Sequence, residues 1–567
     1  MPDPVRRLPT VWRSSNARLL AGVAAVGLAQ AALSITLTLG VAHAFDFVLD
    51  ARHATARTLS LVAAGFLLFA LASAAVRYGE RTLPERLGQR YVHRVRLRLW
   101  DHLQRLPAAS ITGQRRGATV LRFIGDLTTL KLWVSRGLAS TVVAVLTLVG
   151  GLVAMALLSW RLAAATSLIL VVAVAGQARW SRVVGRRVRA LRKQRSRLAT
   201  DIVERISSLA VVQASNQGQR ERRRIRRRSE QLIDASIAAA SASGVLLGSS
   251  ELVSVALMGA VLVLGATQVA SAAMTPGAMV ASLLLARHLG RPVRSLSRAQ
   301  ERWMRAAVAR HKLEQFLALA PIAEPTAATP LKAGGGAIRL ARVTSGALLT
   351  QISARARSGD RIRLVGANGS GKSTLFRLLA GLERPAAGKI GLDGRDLGRC
   401  SLQAIRSAVA LVGPDLPLLR GTLRRNLTYG SPRATESEIA EVLGTCDLET
   451  LLQTLPQGLA TRVADAGLSL SSGQRYRVEL GRALLTKPRV LLLDEADRYL
   501  DEPGRRAVHQ IIASFPGTVV FVWNSSGAPP STATWRLDNG EISVETAAEQ
   551  QPPTPILRRL ASVPASC

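Results

Sequence analysis

In its first 300 residues this chain has five stretches of 17 residues or more that carry no charged side chain, and they dictate most of what it can fold into. They run over Leu19–Phe45, Thr58–Val76, Gly137–Trp160, Leu162–Ala178 and Leu252–Ala286. About 20 apolar residues cross a bilayer as a helix, so the first four each predict one span, two of them close to the lower limit. The fifth is too long for one span, and Pro276 with Gly277 breaks it into two helices joined by a tight turn. Six spans are expected, at about 19–45, 58–78, 137–160, 162–180, 244–269 and 277–300, in a membrane domain covering 1–320. The basic N-terminus resembles that of a secretory signal. However, the first run is too long for one and no A-x-A cleavage site is clearly placed, so it reads as a retained span.

Charge then orients the spans. The chain has 75 Lys+Arg against 37 Asp+Glu, a net +38, which suits either nucleic acid or the cytoplasmic loops of a membrane protein. A mean hydropathy of +0.20 excludes a disordered basic chain. Short connections follow spans one, three and five, and long basic ones follow spans two and four. Between Trp180 and Arg228 there are 16 Lys+Arg and 3 Asp+Glu, whereas Arg161 is the sole charge between spans three and four. The positive-inside bias therefore places both termini and both long loops in the cytoplasm, at the inner (plasma) membrane. The long loops keep helical periodicity and read as helices continuing out of the spans. The run RERRRIRRR (Arg220–Arg228) has no interleaved aromatic residue, so a solvated face near anionic membrane lipid is favoured and no nucleic-acid partner is expected. Cys400, Cys446 and Cys567 have neither metal-type spacing nor an even disulfide framework.

A Pro/Ala/Gly linker at 321–336 separates this domain from a region, 337–545, where short β-branched runs alternate with helical patterns. Strands are expected at Arg361–Val365, Val409–Val412, Val490–Leu493 and Thr518–Trp523, and the tail 546–567 is expected to be disordered. The fold class is thus a six-helix all-α transmembrane domain with long cytoplasmic helices, followed by an α/β domain that the motifs below make a P-loop NTPase domain.

The strand RIRLV leads into GANGSGKST, and LFRLLAGL follows as a helix. This satisfies G-x-x-x-x-G-K-[ST] in the strand–loop–helix context that gives it meaning. Gly366, Asn368, Gly369, Ser370 and Gly371 let backbone N–H groups approach phosphate. Lys372 neutralises the β/γ oxygens, the Ser373 hydroxyl suits Mg²⁺, and Thr374 completes the motif. VLLLDEAD ends an apolar strand in two carboxylates: Asp494 is suited to the Mg²⁺ shell and Glu495 to activating water against the γ-phosphate of ATP.

With LSSGQ (Leu470, Ser471, Ser472, Gly473 and Gln474) lying 20 residues before Asp494, and RYLD after it, the order resembles the signature, Walker B and D-loop of an ATP-binding cassette. Together with the spans, roughly residues 10 to 545 resemble a half-transporter of the ABC exporters. In that family two cassettes meet head to tail, so the resemblance implies a second exporter half as partner, with 470–474 contacting the partner's ATP. ATP binding and hydrolysis would then switch the spans between inward-open and outward-open states. The resemblance also places short docking helices near Ser110–Arg116 and Ser207–Asn216. Ser472 replaces a usual glycine, which puts a glycine backbone conformation in doubt.

Three departures are larger. The glutamine expected after VALVG is Pro414, the histidine expected after TVVFVW is Asn524, and no aromatic lies between Phe316 and Phe376 to stack on adenine. Proline offers no side-chain ligand and asparagine exchanges no proton at neutral pH. The favoured reading is the degenerate-site half of a heterodimer; the retained Glu495 favours its alternative, a homodimer with slow ATPase. A nucleotide-gated regulator that moves no cargo is a third. Charges near the spans, Glu251, Arg287 and His288, point to a polar cavity where they pair, or else to headgroup contacts. A lipid, peptide, drug-like compound or small thiol all remain open as cargo.

Overall fold

The computed structural model describes residues 8–12, 14–49, 56–110, 119–120, 122–325, 327–414, 416–463 and 469–546. The tail from 547 to Cys567, and the tip at 111–116, lie outside the described residues. The uncharged runs fold as helices, several of which continue well beyond the apolar segment. In chain order the helices are α1 (Ser14–Leu49), α2 (Ala56–Arg105), the short α3 (Leu127–Trp133) ahead of the third run, α4 (Ala139–Leu158) and α5 (Trp160–Ser207). After these come the short α6 (Leu209–Ala214), then α7 (Gly218–Ala270) and α8 (Pro276–Leu317). Helices α2, α5 and α7 have 50, 48 and 53 residues, far more than the roughly 20 a bilayer needs, so each carries a polar extension. Five helical segments are long and apolar enough to cross a membrane, beginning at Asn16, Ser60, Arg122, Trp160 and Gly218; among the described residues α8 is not one of them.

The breaks are set by side chains. Ser159 stands extended between α4 and α5; its hydroxyl accepts from Leu162 N and donates to Gln268 Oε1 at 2.7 Å. Thr275 caps α8, Pro276 occupies its first turn, and the Asp46 carboxylate accepts from Gly277 N at 2.7 Å, a favourable place for negative charge. Small residues let the helices close up: a Cβ at Gly150 would stand 2.6 Å from the Ala31 Cβ, and one at Gly151 2.6 Å from Leu289. Ala154, Met155, Leu162, Leu257, Leu285 and Leu289 form the core shared by α4, α5, α7 and α8. Leu67, Leu68, Leu71, Val171 and Leu252 face outward, as a lipid-solvated bundle requires.

The second unit, from Pro321 on, holds two main sheets and a two-stranded pairing of β7 (Gly421–Thr422) with β8 (Arg462–Val463). Strands β1 (Ile338–Ser345), β2 (Leu349–Ala356), β4 (Ala387–Leu392) and β5 (Arg395–Asp396) form an antiparallel sheet in the order β2-β1-β4-β5. The larger sheet has the order β12-β11-β3-β10-β9-β6. In it β3 (Arg361–Val365), β6 (Val409–Val412), β9 (Val490–Leu493), β10 (Thr518–Phe521) and β11 (Ala533–Asp538) run parallel, with β12 (Glu541–Thr546) antiparallel at the edge. Every residue of β9 and β10 is buried, the reading expected of central parallel strands covered on both faces. The phosphate-type loop and the two acidic residues therefore leave the C-terminal ends of two parallel strands, β3 and β9, that flank β10, where ligand crevices form in α/β sheets.

Candidate functional site

The loop after β3 turns through Gly369 and Gly371, both in the left-handed region at φ 83° and 105°. At Gly366 a Cβ would lie 2.4 Å from the Leu537 carbonyl, so this position tolerates no side chain. Helix α9 (Lys372–Leu379) starts at once, and the Lys372 ammonium folds back to donate to the carbonyls of Gly366 at 2.7 Å and Ala367 at 2.9 Å. The Ser370 hydroxyl is buried without a hydrogen-bond partner, an orphan that a phosphate oxygen would satisfy.

From β9 the chain delivers Asp494, whose Oδ2 accepts from the Ser373 hydroxyl at 2.8 Å. The two residues expected to hold Mg²⁺ thus meet although 121 positions apart. A hydroxyl beside a mostly buried carboxylate is an oxygen donor set of the kind Mg²⁺ takes. Glu495 follows in a left-handed conformation at φ 47°, and its carboxylate pairs with the Arg498 guanidinium at 3.0 Å. Such strain in a non-glycine residue is characteristic of functional sites.

Around this centre the departures take their places. Pro414 is exposed at the end of β6, beside Gly413, where a Cβ would lie 2.9 Å from the Asp494 Cβ. The following loop is held by Arg482, which donates to the carbonyls of Leu416 at 2.7 Å and Pro417 at 3.3 Å. Asn524 has an exposed side chain after β10, and its N–H, with that of Ser525, donates to Asp497. In the turn between β1 and β2, where the missing aromatic would be sought, Leu348 is exposed, and its carbonyl lies 3.1 Å from the position of a Cβ at Gly371.

The LSSGQ segment opens helix α14 of the chain, counted after α10 (Leu402–Ala408), α11 (Leu423–Leu427), α12 (Glu436–Thr445) and α13 (Glu449–Thr454); α14 spans Ser472–Leu484. Ser471 accepts from Gln474 N at 3.2 Å and Gln474 Oε1 accepts from Ser471 N at 2.9 Å, a capping box that fixes the entry. Ser472 is helical and needs no positive φ, so the glycine conformation in doubt is not required here. Leu470 and Gly473 are buried. Among the described residues no hydrogen bond joins Ser471–Gln474 to the phosphate-type loop.

Sequence reasoning missed Asp497, Arg498, Leu348 and Glu479. Glu479 of α14 is 7% exposed, and burial pushes its carboxyl up to about 7 against the opposing pull of Arg482 and Arg475. Tyr476, in the same helix, is raised well above its ordinary value by burial and by the carboxylates of Glu479, Asp494 and Asp497. In the membrane unit Glu251 pairs with Arg294 at 3.1 Å, not with Arg287, which is exposed. His288 instead bonds back to the Leu284 carbonyl.

A P-loop cassette with this pair of oxygen donors, carried on the same chain as a bundle of membrane-crossing helices, defines an ATP-hydrolysing membrane transporter. Comparison with known proteins agrees. Residues 20–293 match the ABC transporter transmembrane region, and residues 349–498 match the ABC transporter family. The chain belongs to the ABC transporters, as an exporter-type half-transporter with its membrane domain fused ahead of its cassette. A fatty acid ABC transporter ATP-binding/permease protein of Mycobacterium tuberculosis (strain CDC 1551 / Oshkosh) is 28% identical over 79% of this chain and 71% of its own length. An ATP-dependent lipid A-core flippase of Syntrophus aciditrophicus (strain SB) is 25% identical over 86% and 81%. A multidrug resistance ABC transporter ATP-binding and permease protein of Lactococcus lactis subsp. lactis (strain IL1403) is 25% identical over 80% and 79%. The structure of a bacterial Atm1-family ABC exporter with ATP bound shares the fold, with a TM-score of 0.81 at 22% identity, over 95% of this chain and 96% of that one. Half-transporters of this family work as dimers.

Proposed function

We propose that this chain is the degenerate-site half of a heterodimeric exporter that moves a small molecule, lipid or peptide out of the cytoplasm. Six spans would set it in the inner (plasma) membrane, with termini and cassette cytoplasmic and membrane lipids around it. The observation that carries the reading is the contrast at one site: Ser373 and Asp494 meet at 2.8 Å, while Pro414 and Asn524 occupy the flanking positions that should sense and act on the nucleotide. Relatives named for fatty acid transport and for flipping lipid A-core support an export role.

In this reading Lys372 leaves its two loop carbonyls to meet the β/γ oxygens of ATP, and the loop N–H groups and the Ser370 hydroxyl hold the remaining phosphate oxygens. Ser373 and Asp494 would hold Mg²⁺, which neutralises phosphate charge when bound. Glu495, once released from Arg498, orients the attacking water. Asn524 offers an amide hydrogen bond but no proton exchange, and Pro414 offers nothing, so hydrolysis at this site is slow. Ser471, Ser472, Gly473 and Gln474 begin a helix whose N-terminal N–H groups suit the γ-phosphate in the partner's site.

Glu495 is intact, which favours the second reading, a homodimer with two slow sites. ATP turnover of the chain purified alone separates them. The heterodimer reading expects little turnover alone. It also expects stimulated turnover with a second exporter half, surviving Glu495→Gln in this chain but lost on Gly473→Asp. Turnover alone at an ordinary exporter's rate, abolished by Glu495→Gln, overturns it.

A further inference from the structure

The membrane unit contains a cavity of about 1290 Å³ walled by α2, the turn leading into α4, and α8. Its lining is strongly basic. Helix α2 contributes Arg77, Arg81, Arg86 and Arg90, and Arg136 with Arg298 and Arg302 faces them, joined by Arg294. Among the described residues two carboxylates line it, Glu80 and Glu85, and Glu85 is already paired with Lys131 at 2.9 Å. Among the described residues Arg294 alone of these arginines has a carboxylate partner, Glu251.

The spacing makes this more than the usual excess of cytoplasmic positive charge. Arg294, Arg298 and Arg302 are each four residues apart, as are Arg77 and Arg81, and Arg86 and Arg90, so like charges stack along single helix faces. Such pairs repel at i,i+4. Six of them, Arg77, Arg81, Arg86, Arg90, Arg136 and Arg298, stay exposed to the open cavity, and arginines spread over other faces would orient the spans equally well. A cavity wall that gathers like charges against their repulsion is suited to an anion.

More apolar cavities border it. A second cavity, of about 230 Å³ between α1, α2 and α8, shares Arg77 with the first. It shares Leu37 and Phe69 with a third, of about 750 Å³ between α1 and α2, whose walls include Phe47, Leu61, Val62 and Phe66. From one cavity to the next the lining thus passes from basic to mostly apolar, with Asp46 and His43 at the far cavity its ionisable exceptions. We infer that the cargo is an amphiphile with an acidic head group and an alkyl tail, the head held by the arginine cavity and the tail along the apolar slot between α1 and α2. This rests on the export reading above and names its substrate class.

The test needs no nucleotide. The full-length chain in phosphatidylcholine nanodiscs is titrated with fluorescent hexadecyl phosphate, with the hexadecyl trimethylammonium analogue, and with inorganic phosphate as competitor. The phosphate amphiphile is expected to bind at least tenfold more tightly than the cationic analogue, with inorganic phosphate displacing it only weakly because the tail is needed. The triple variant Arg81→Gln, Arg90→Gln, Arg298→Gln is expected to lose that preference. Equal binding of both amphiphiles to the unmodified chain overturns the inference without any variant having to fold. So does an unchanged preference in the triple variant, and so does full displacement by inorganic phosphate at equal concentration. ATP-driven movement of a labelled drug or peptide, with no preference for the acid, would leave the export reading standing while this one falls. Tight binding of the acid with no ATP-driven movement of any compound would do the reverse.

Discussion

Asp497 and Asn524 are joined through the backbone: one carboxylate oxygen of Asp497 accepts from Asn524 N at 2.8 Å and from Ser525 N at 2.6 Å. The turn after the acidic strand end therefore holds the loop that carries Asn524. Asp497 is 7% exposed, and a carboxylate accepting N–H groups in such surroundings contributes more than a neutral bond. Asp497→Ala is expected to lower stability by about 2–3 kcal/mol and Asp497→Asn by about half as much. Residual ATP turnover should fall with the first and be largely kept by the second. Thermal unfolding and phosphate release on the two variants check this.

Restoring the missing groups tests whether they limit hydrolysis. Pro414→Gln with Asn524→His is expected to raise turnover of the chain alone by about tenfold or more, with each single change giving less. Gly413 must be kept, because a Cβ there meets Asp494 at 2.9 Å. An unaltered rate in the double variant would place the limitation elsewhere in the site.

Glu479 makes stability depend on pH. Burial raises its carboxyl to about 7 in the folded cassette, whereas in the unfolded chain it ionises in the ordinary carboxylate range. Below that range both states are protonated and nothing is lost. As pH rises toward 7 the unfolded state gives up its proton first and the folded state becomes relatively less stable; above 7 the penalty stays constant. Glu479→Gln is thus expected to be more stable than the parent at pH 8, by on the order of 2–3 kcal/mol, with the gain vanishing toward pH 4.5. Chemical denaturation of both proteins across that interval reads the difference directly.

Gly150 sets how closely α1 and α4 approach. A Cβ there would stand 2.6 Å from the Ala31 Cβ and 3.2 Å from its Cα, which belongs to the backbone and cannot swing aside. Gly150→Val should cost about 1–3 kcal/mol by overpacking. Gly248→Ala in α7, with nothing within 4 Å, should be neutral or better. Detergent-solubilised thermal stability of the two variants compares them.

The parts of this molecule that depend on local sequence were legible. The loop from Gly366 to Ser373 is legible because glycines, a lysine and a hydroxyl at fixed spacing have one structural use between a strand and a helix. Its meeting with Asp494, 121 residues away, was inferred from motif chemistry. The partners of Glu251 and Glu495 were not legible, because a charge selects its partner by packing: Glu251 reaches Arg294, and Glu495 turns to Arg498. Asp497 read as one more acid in DEADRYLD, since nothing local marks a carboxylate that will cap a distant loop. The α8 arginines were visible at helical spacing, but which way that face turned depended on α2 and α4.

Helix α7 runs from Gly218 to Ala270 without interruption, 53 residues and so about 80 Å of rod. With α5 packed along it, the pair resists bending better than either helix alone. A tilt of about 5° about one end carries the other by about 7 Å, more than one helical turn. A small rotation of this pair at its polar tips would therefore become, at the opposite end, a displacement large enough to slide one helix past its neighbour.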